Sequence, residues 1–247
     1  MNKHLSLRSG NPALHKNTFK GLETTGDDTM TIDGTVNKTS IALILLLLSS
    51  YYTYSTSNTG FIFIGLITGI VLAIATIIKK TWSPITVPLY AICEGLALGG
   101  ISAIYESMYT GIVQQAIFLT LGIFTALLFA YKTKIIKATE NFKLGVFAAT
   151  GGIAIVYFIS FIMSFWGGGL SIMNIQNASM MSIGFSVFVV IIAALNLVLD
   201  FDFIEEASEM GVPKYMEWYA TFGLLITLIW LYLEILRLLA KLQSRRN

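Results

Sequence analysis

The sequence predicts an all-α integral membrane protein, a bundle of seven transmembrane helices. Hydrophobic residues make up 55% of its 247 residues and charged residues only 12%, which leaves too little polar surface for a soluble domain of this length. Seven apolar segments follow one another, each near the roughly 20 residues that a helix needs to cross a bilayer. The connections between them are short, so no second folded domain is expected.

The first 38 residues are predicted to form a polar, mobile, cytoplasmic tail. They hold five basic and four acidic residues among Ser, Thr, Gly and Asn, with no apolar run. A signal peptide would need such a run, so we expect the first helix itself to direct insertion. The predicted transmembrane domain covers residues 39–242, and residues 243–247 form a short basic C-terminal tail.

The first segment is short and ends in a tyrosine-rich stretch that is typical of a membrane interface. The last is a run of about 25 residues without a Gly-Pro break after Gly223, long enough to cross the bilayer completely. The predicted segments are Thr39–Tyr54, Phe61–Ile78, Pro84–Tyr105, Gly111–Tyr131, Leu144–Phe165, Ser179–Leu199 and Tyr215–Leu239.

The basic residues predict the orientation of these segments. With a cytoplasmic N-terminus, twelve of the sixteen Lys and Arg residues fall on the inner side, as the positive-inside rule requires. The four at the C-terminal end fall outside, against the rule. Either the last segment crosses against the rule, or it dips in and returns, which would leave six crossings. Its length favours seven crossings, with the N-terminus inside.

The third segment holds an acid close to the predicted bilayer centre. Glu94 lies about ten residues from each end of the segment, roughly 15 Å along a helix from the nearer surface. Gly95 and Gly99 form a small-xxx-small face that lets a neighbouring helix approach closely. Glu94 can share a proton or a cation with a partner group, or it can be a neutral acid hydrogen-bonded to a carbonyl or hydroxyl; the sequence favours neither.

The sixth segment ends in a cluster of polar side chains. Asn196 and Asp200 are four residues apart and share one helix face, whereas Asp202 points elsewhere if the helix continues. Glu205, Glu206 and Glu209 are expected to be solvated beyond the membrane. An ionised acid at mid-membrane costs about 2.5 to 3.5 kcal/mol on insertion scales, so acids at or inside the boundary are more often functional. The sequence favours a functional role for Asp200, because Asn196 lies one turn deeper in apolar surroundings and needs a partner, and it favours a solvated position for Asp202.

The seventh segment has one acid near its start and one near its end. Glu217 lies in an aromatic interfacial belt and is expected to be solvated. Glu234 and Arg237, at i and i+3, are expected to pair on one helix face. Thr221 and Thr227 are the other polar residues at depth, where either could bond its own helix backbone.

Several classes of function are not expected. The basic residues form no patch with interleaved aromatics, so nucleic acid is not an expected partner. Cys93 is the only cysteine, and His4 and His15 both lie in the tail. With no nucleophile and base pair and no phosphate-binding glycine loop, we expect no enzyme activity, no catalytic residue and no cofactor.

Together, these features resemble the Bax inhibitor-1 family of membrane proteins. The likeness covers about Thr35 to Lys241. It depends on the number and order of segments, the glycine-flanked acid in Glu94-Gly-Leu-Ala-Leu-Gly99, the Asp that ends the sixth segment, and the closing Leu231-Tyr-Leu-Glu-Ile-Leu-Arg237. The long polar tail and Lys214-Tyr-Met-Glu-Trp-Tyr resemble a bacterial branch of this family, which implies a location in a bacterial cytoplasmic (inner) membrane.

The resemblance implies a seven-helix bundle with the last helix at its centre. Some members pass calcium in a pH-sensitive way, gated by a pair of aspartates on the sixth and seventh helices that share a proton. Asp200 or Asp202 matches the sixth-helix partner. Aligning the closing Leu-Tyr-Leu-acid puts Glu234 at the seventh-helix position, whereas counting forward from Asp200 reaches Thr221 to Thr227, where this chain has no acid.

Two functional hypotheses follow. The first is a pH-sensitive leak pathway for Ca²⁺ or another cation, lined by Glu94 and Asp200 as transient oxygen ligands, with Asp202 and Glu234 as further proton-sensing candidates. In it, Asn196, Arg237, Glu217 and Thr227 are supporting residues. The second is a regulator that transports nothing and binds other membrane proteins, such as a quality-control protease, through its polar tail.

Overall fold

A computed structural model describes residues 28–246, and within this range it contains seven long α-helices and no β-strand. All seven are long and apolar enough to cross a membrane, so the predicted fold class of an all-α integral membrane protein is confirmed. The helices are α1 Ile32–Thr56, α2 Gly60–Ile78, α3 Ser83–Met108, α4 Ile112–Lys132, α5 Glu140–Ser164, α6 Met180–Glu209 and α7 Met216–Ser244.

Two helix ends differ clearly from the predicted segments. Helix α1 begins at Ile32 rather than Thr39, because the Thr31 side chain caps it by accepting a hydrogen bond from the Gly34 amide. Helix α6 continues past Leu199 to Glu209. The predicted boundary at residue 38 thus lies inside α1 and that at residue 242 inside α7. Most of the predicted mobile tail, residues 1–27, lies outside the described residues.

The chain divides into two compact units, and α6 and α7 each contribute to both. We call residues 28–108 with Asp202–Ile226 the α1–α3 unit, and Tyr109–Phe201 with residues 227–246 the α4–α5 unit. Helices α3, α6 and α7 are the most buried: half or more of the residues in the most apolar stretch of each lie inside the protein, against 11% for α5.

Close helix packing in the α1–α3 unit depends on glycines. A Cβ atom at Gly95 would overlap the Ser49 hydroxyl and the Leu46 carbonyl of α1, and one at Gly99 would overlap the Ser50 carbonyl. On the other side of α3, a Cβ at Gly65 of α2 would overlap the Cys93 carbonyl. Helix α3 therefore lies in close backbone contact with both α1 and α2.

The chain just before α1 pairs with the turn between α6 and α7, again within the α1–α3 unit. Thr29 forms an isolated antiparallel bridge with Pro213. The Met30 amide donates to the Val212 carbonyl over 2.7 Å, and the Lys214 amide donates to the Asp28 carbonyl over 2.9 Å. We call residues 28–31 the strap, because they fasten the start of α1 to the α6–α7 turn.

The α4–α5 unit has an apolar core between α5 and α6. Ile153, Val189 and Ile192 are buried together, and Trp230 of α7 packs against them. Near the end of this unit's part of α6, the Phe201 ring meets Phe124 of α4 edge to face, with 5.7 Å between centroids. These contacts fix the helix face that presents the polar residues of α6.

Candidate functional site

Glu94 lies at depth in α3, against α2. It follows Ser83, the first residue of α3, by eleven positions, or about 16 Å along the helix axis. A Cβ atom at Gly69 would come within 2.6 Å of Oε1 of Glu94, so this glycine makes room for the carboxylate. Glu94 is half-buried, and no hydrogen bond reaches its carboxylate from elsewhere in residues 28–246. Its oxygens therefore remain available to a proton or a cation.

Asn196 and Asp200 form a second polar position, on α6 within the α4–α5 unit. Asp200 is completely buried and Asn196 is 1% exposed. The Asn196 amide nitrogen donates to Oγ1 of Thr150 on α5 and to the Ile192 carbonyl, both over 2.8 Å. Because the helix continues, Asp202 is turned away from this face and is half-buried. Of the two aspartates, Asp200 is thus the one that the fold encloses.

Glu217 is buried, so the expectation that it is solvated was wrong. Only 1% of it is exposed. Its Oε1 accepts hydrogen bonds from the Thr31 amide at 2.9 Å and the Thr31 hydroxyl at 3.0 Å, and Lys38 forms an ion pair with Oε2. The carboxylate stands at the N-terminus of α1, where a negative charge is stabilised by the helix dipole. The position of this carboxylate explains why residue 34 is a glycine, since a Cβ atom at Gly34 would overlap the carboxylate.

Glu234 is held in a closed network of three side chains in the α4–α5 unit. The Tyr157 hydroxyl of α5 donates to Oε1 of Glu234 over 2.6 Å. Nη1 of Arg237 donates to the same carboxylate at 2.9 Å and to the Tyr157 hydroxyl at 2.8 Å. The predicted i, i+3 pairing of Glu234 with Arg237 is confirmed. This carboxylate therefore has one cationic and one neutral donor of its own.

Lys241 is a buried base near the end of α7. Its ammonium group donates to the Ile172 carbonyl at 2.7 Å, the Ser186 hydroxyl at 2.8 Å and the Ser182 carbonyl at 3.2 Å. These three bonds use all three donors of an ammonium group. Lys241 therefore fastens the end of α7 to the connection before α6 and to the first turns of that helix.

The two threonines of α7 are both buried. Thr221 lies 3.1 Å from the Thr39 hydroxyl of α1, oxygen to oxygen. Thr227, predicted as a supporting residue, is 2% exposed. No group of three or more His, Cys, Asp and Glu side chains that could hold a metal ion occurs in the described part of the chain.

A family model described as Bax inhibitor 1 like matches residues 11–244, nearly the whole chain. The chain belongs to the Bax inhibitor-1-like family. No curated protein matches it. In this Bax inhibitor-1-like protein, the acids that the resemblance singled out lie in different surroundings: Asp200 is completely buried, Glu94 lies against Gly69, and Glu234 is in an ion pair.

Several residues of these clusters were missed by sequence reasoning. Gly65 and Gly69 of this Bax inhibitor-1-like protein have the same spacing as Gly95 and Gly99, so the sequence held a signal for them. The sequence held no signal for Tyr157 or Lys38, because their partners, Glu234 and Glu217, lie 77 and 179 residues away in the chain. The signal for Lys241 was weak: it follows Arg237 by one helical turn, on the same face.

Proposed function

We propose that this protein is a pathway for Ca²⁺, or another hard cation, through the membrane. The observation that supports it most is Asp200, completely buried in a helix long and apolar enough to span the bilayer. Ionisable groups at such depth are rare, costly, and typical of ion and proton routes. Carboxylate and amide oxygens are ligands that Ca²⁺ prefers.

Glu94 supports the same proposal from the α1–α3 unit. It is partly accessible and its carboxylate has no hydrogen-bond donor in residues 28–246. Glu217 and Glu234 differ from Glu94, because each already has a cationic partner, Lys38 or Arg237. We propose that Glu217 and Glu234 join helices to one another. Asp200 and Glu94 are the acids that we expect to contact the ion.

The proposal includes sensitivity to pH. Protons and Ca²⁺ compete for the same carboxylate oxygens, so acidification is expected to raise the Ca²⁺ concentration needed for half-maximal flux. Asp200 and Glu94 are two positions at which the protein offers few ligands. Such weak sites suit a transported ion, because conduction requires binding weak enough for release.

The membrane orientation is also part of the proposal. A cytoplasmic N-terminus places twelve of the sixteen basic residues inside, as the positive-inside rule favours. On this orientation the strap and Glu217 lie at the cytoplasmic side of a bacterial inner membrane. We further propose that the protein is not an enzyme and holds no resident cofactor.

Ca²⁺ entry into liposomes containing the purified protein tests this function. Wild-type protein should admit Ca²⁺ faster than protein-free liposomes, and the rate at limiting Ca²⁺ should fall as the pH is lowered from about 8 to about 5. Glu94→Gln and Asp200→Asn should each reduce entry at neutral pH. Equal entry in the wild type and both variants would contradict the assignment of these acids.

The strap favours a second candidate function, a regulator that binds other membrane proteins. Its backbone hydrogen bonds to the α6–α7 turn fix where residues 1–27 join the membrane domain, and these residues are polar and charged. Deleting residues 1–27 leaves the strap in place. Loss of co-purifying membrane proteins with unchanged Ca²⁺ entry would favour the regulator, whereas unchanged co-purification would contradict it.

A further inference from the structure

The side-chain oxygen of Asn196 is a buried acceptor whose partner is missing from the described protein. Asn196 is 1% exposed, and its Oδ1 atom has no hydrogen-bond partner among residues 28–246. Buried polar atoms are nearly always satisfied, so such an atom calls for an explanation, which can be an ion or a water molecule.

The orientation of this amide is fixed by its other bonds. Its nitrogen donates to the Ile192 carbonyl over 2.8 Å, and a carbonyl can only accept. Turning the amide over would place two oxygens against each other. The bond to Thr150 of α5, also 2.8 Å, holds the nitrogen from a second side. Oδ1 is therefore directed away from both partners.

Asp200 follows Asn196 by one helical turn on the same face of α6. Both residues belong to the α4–α5 unit, and Asp200 is completely buried. An amide oxygen and a carboxylate on one face are the kind of oxygen ligands that a hard divalent cation takes, while water molecules can complete its shell.

We propose that Oδ1 of Asn196 is a ligand of the transported cation, and that it forms with Asp200 a cation site one helical turn long on α6. The inference rests on the proposed cation pathway and adds a neutral ligand to it. Asn196 then sets how tightly the ion is held, and Thr150 serves to orient the amide.

Three substitutions distinguish the contribution of the Asn196 side-chain oxygen from that of the hydrogen bonds made by its side-chain nitrogen. Asn196→Leu removes both, Asn196→Asp keeps oxygen at this position but removes the nitrogen, and Thr150→Val removes only one partner of the nitrogen. The readouts are the Ca²⁺ concentration for half-maximal entry into liposomes and Ca²⁺ binding to the purified protein by calorimetry.

We expect Asn196→Leu to raise the half-maximal Ca²⁺ concentration by about tenfold, the scale of losing a supporting group at a metal site. Asn196→Asp should bind Ca²⁺ at least as tightly as the wild type. Thr150→Val should weaken Ca²⁺ binding less than Asn196→Leu does, because Oδ1 is retained and the Ile192 carbonyl still holds the amide nitrogen.

Two results would overturn the inference while leaving the pathway intact. One is an Asn196→Leu variant with wild-type Ca²⁺ dependence, which would mean that water alone satisfies Oδ1. The other is equal weakening in Asn196→Leu and Asn196→Asp, which would mean that the nitrogen's bonds matter. If the wild type admits no Ca²⁺, the pathway fails, and calorimetry then decides: binding weakened only by Asn196→Leu supports the site, and absence of binding overturns it.

Discussion

Replacing Glu217 by alanine is expected to destabilise the protein strongly, because this buried carboxylate joins the starts of α1 and α7. Truncation removes the acceptor of both Thr31 bonds and the partner of Lys38. Breaking a buried ion pair by removing one partner costs about 3 to 5 kcal/mol. The Lys38 side chain is 20% exposed, and the freed ammonium can therefore regain some hydration, which favours the lower end, about 3 kcal/mol.

The melting temperature of the detergent-purified protein, followed by tryptophan fluorescence, measures this loss. At about 2 to 4 °C per kcal/mol for a chain of this size, Glu217→Ala should melt about 6 to 12 °C below the wild type. Glu209→Ala is the matched control, since Glu209 is an exposed acid near the same turn; it should cost less than about 0.5 kcal/mol. Adding Lys38→Met to Glu217→Ala should restore part of the lost stability, because it removes the ammonium group that was left without its partner.

The reasoning would be refuted if Glu217→Ala melted within about 2 °C of Glu209→Ala, a difference below 1 kcal/mol. Gly34 offers an independent check. Gly34→Ala should destabilise the wild type, because its Cβ meets the Glu217 carboxylate. The same substitution should be tolerated when Glu217 is already alanine.

Substitutions test three further contacts, the first two by the same melting measurement and the third by proteolysis. Gly95→Leu should prevent close packing of α1 on α3 and lower the melting temperature, whereas Gly122→Leu should not, because a Cβ at Gly122 meets nothing within 4 Å; equal effects would contradict the proposed contact. Tyr157→Phe removes a donor to Glu234 and should cost about 1 to 3 kcal/mol; a wild-type melting temperature would argue against this network. Lys241→Met leaves the Ile172 and Ser182 carbonyls without their donor and should increase proteolysis between α5 and α6; unchanged cleavage would show that Lys241 does not fasten this connection.

The seven long apolar helices could be predicted because an apolar run of sufficient length is a local property of the sequence. The end of α6 was harder to predict. Acids after Leu199 mark where the chain becomes polar, but the helix continues because Phe203, Ile204 and Ala207 recur on one buried face. The polar residues thus marked the end of the apolar run and not the end of the helix.

The partners of the acids could be predicted only where they are close in sequence. Glu234 and Arg237 are three residues apart, and their pairing follows from helix geometry alone. Glu217 meets Thr31 across 186 residues, and this contact depends on how α1 and α7 pack. An acid followed by an aromatic residue at a helix start is typical of a membrane interface, so the burial of Glu217 could not be predicted from this pattern.

The most direct test of the central claim compares Ca²⁺ entry into liposomes at neutral pH for the wild type, Asp200→Asn and Glu209→Gln. Both variants remove one carboxylate charge from α6, one completely buried and one exposed. Ion conduction through the buried acid predicts reduced entry for Asp200→Asn and wild-type entry for Glu209→Gln. Equal entry in all three proteins, or no entry above protein-free liposomes in the wild type, would contradict the account.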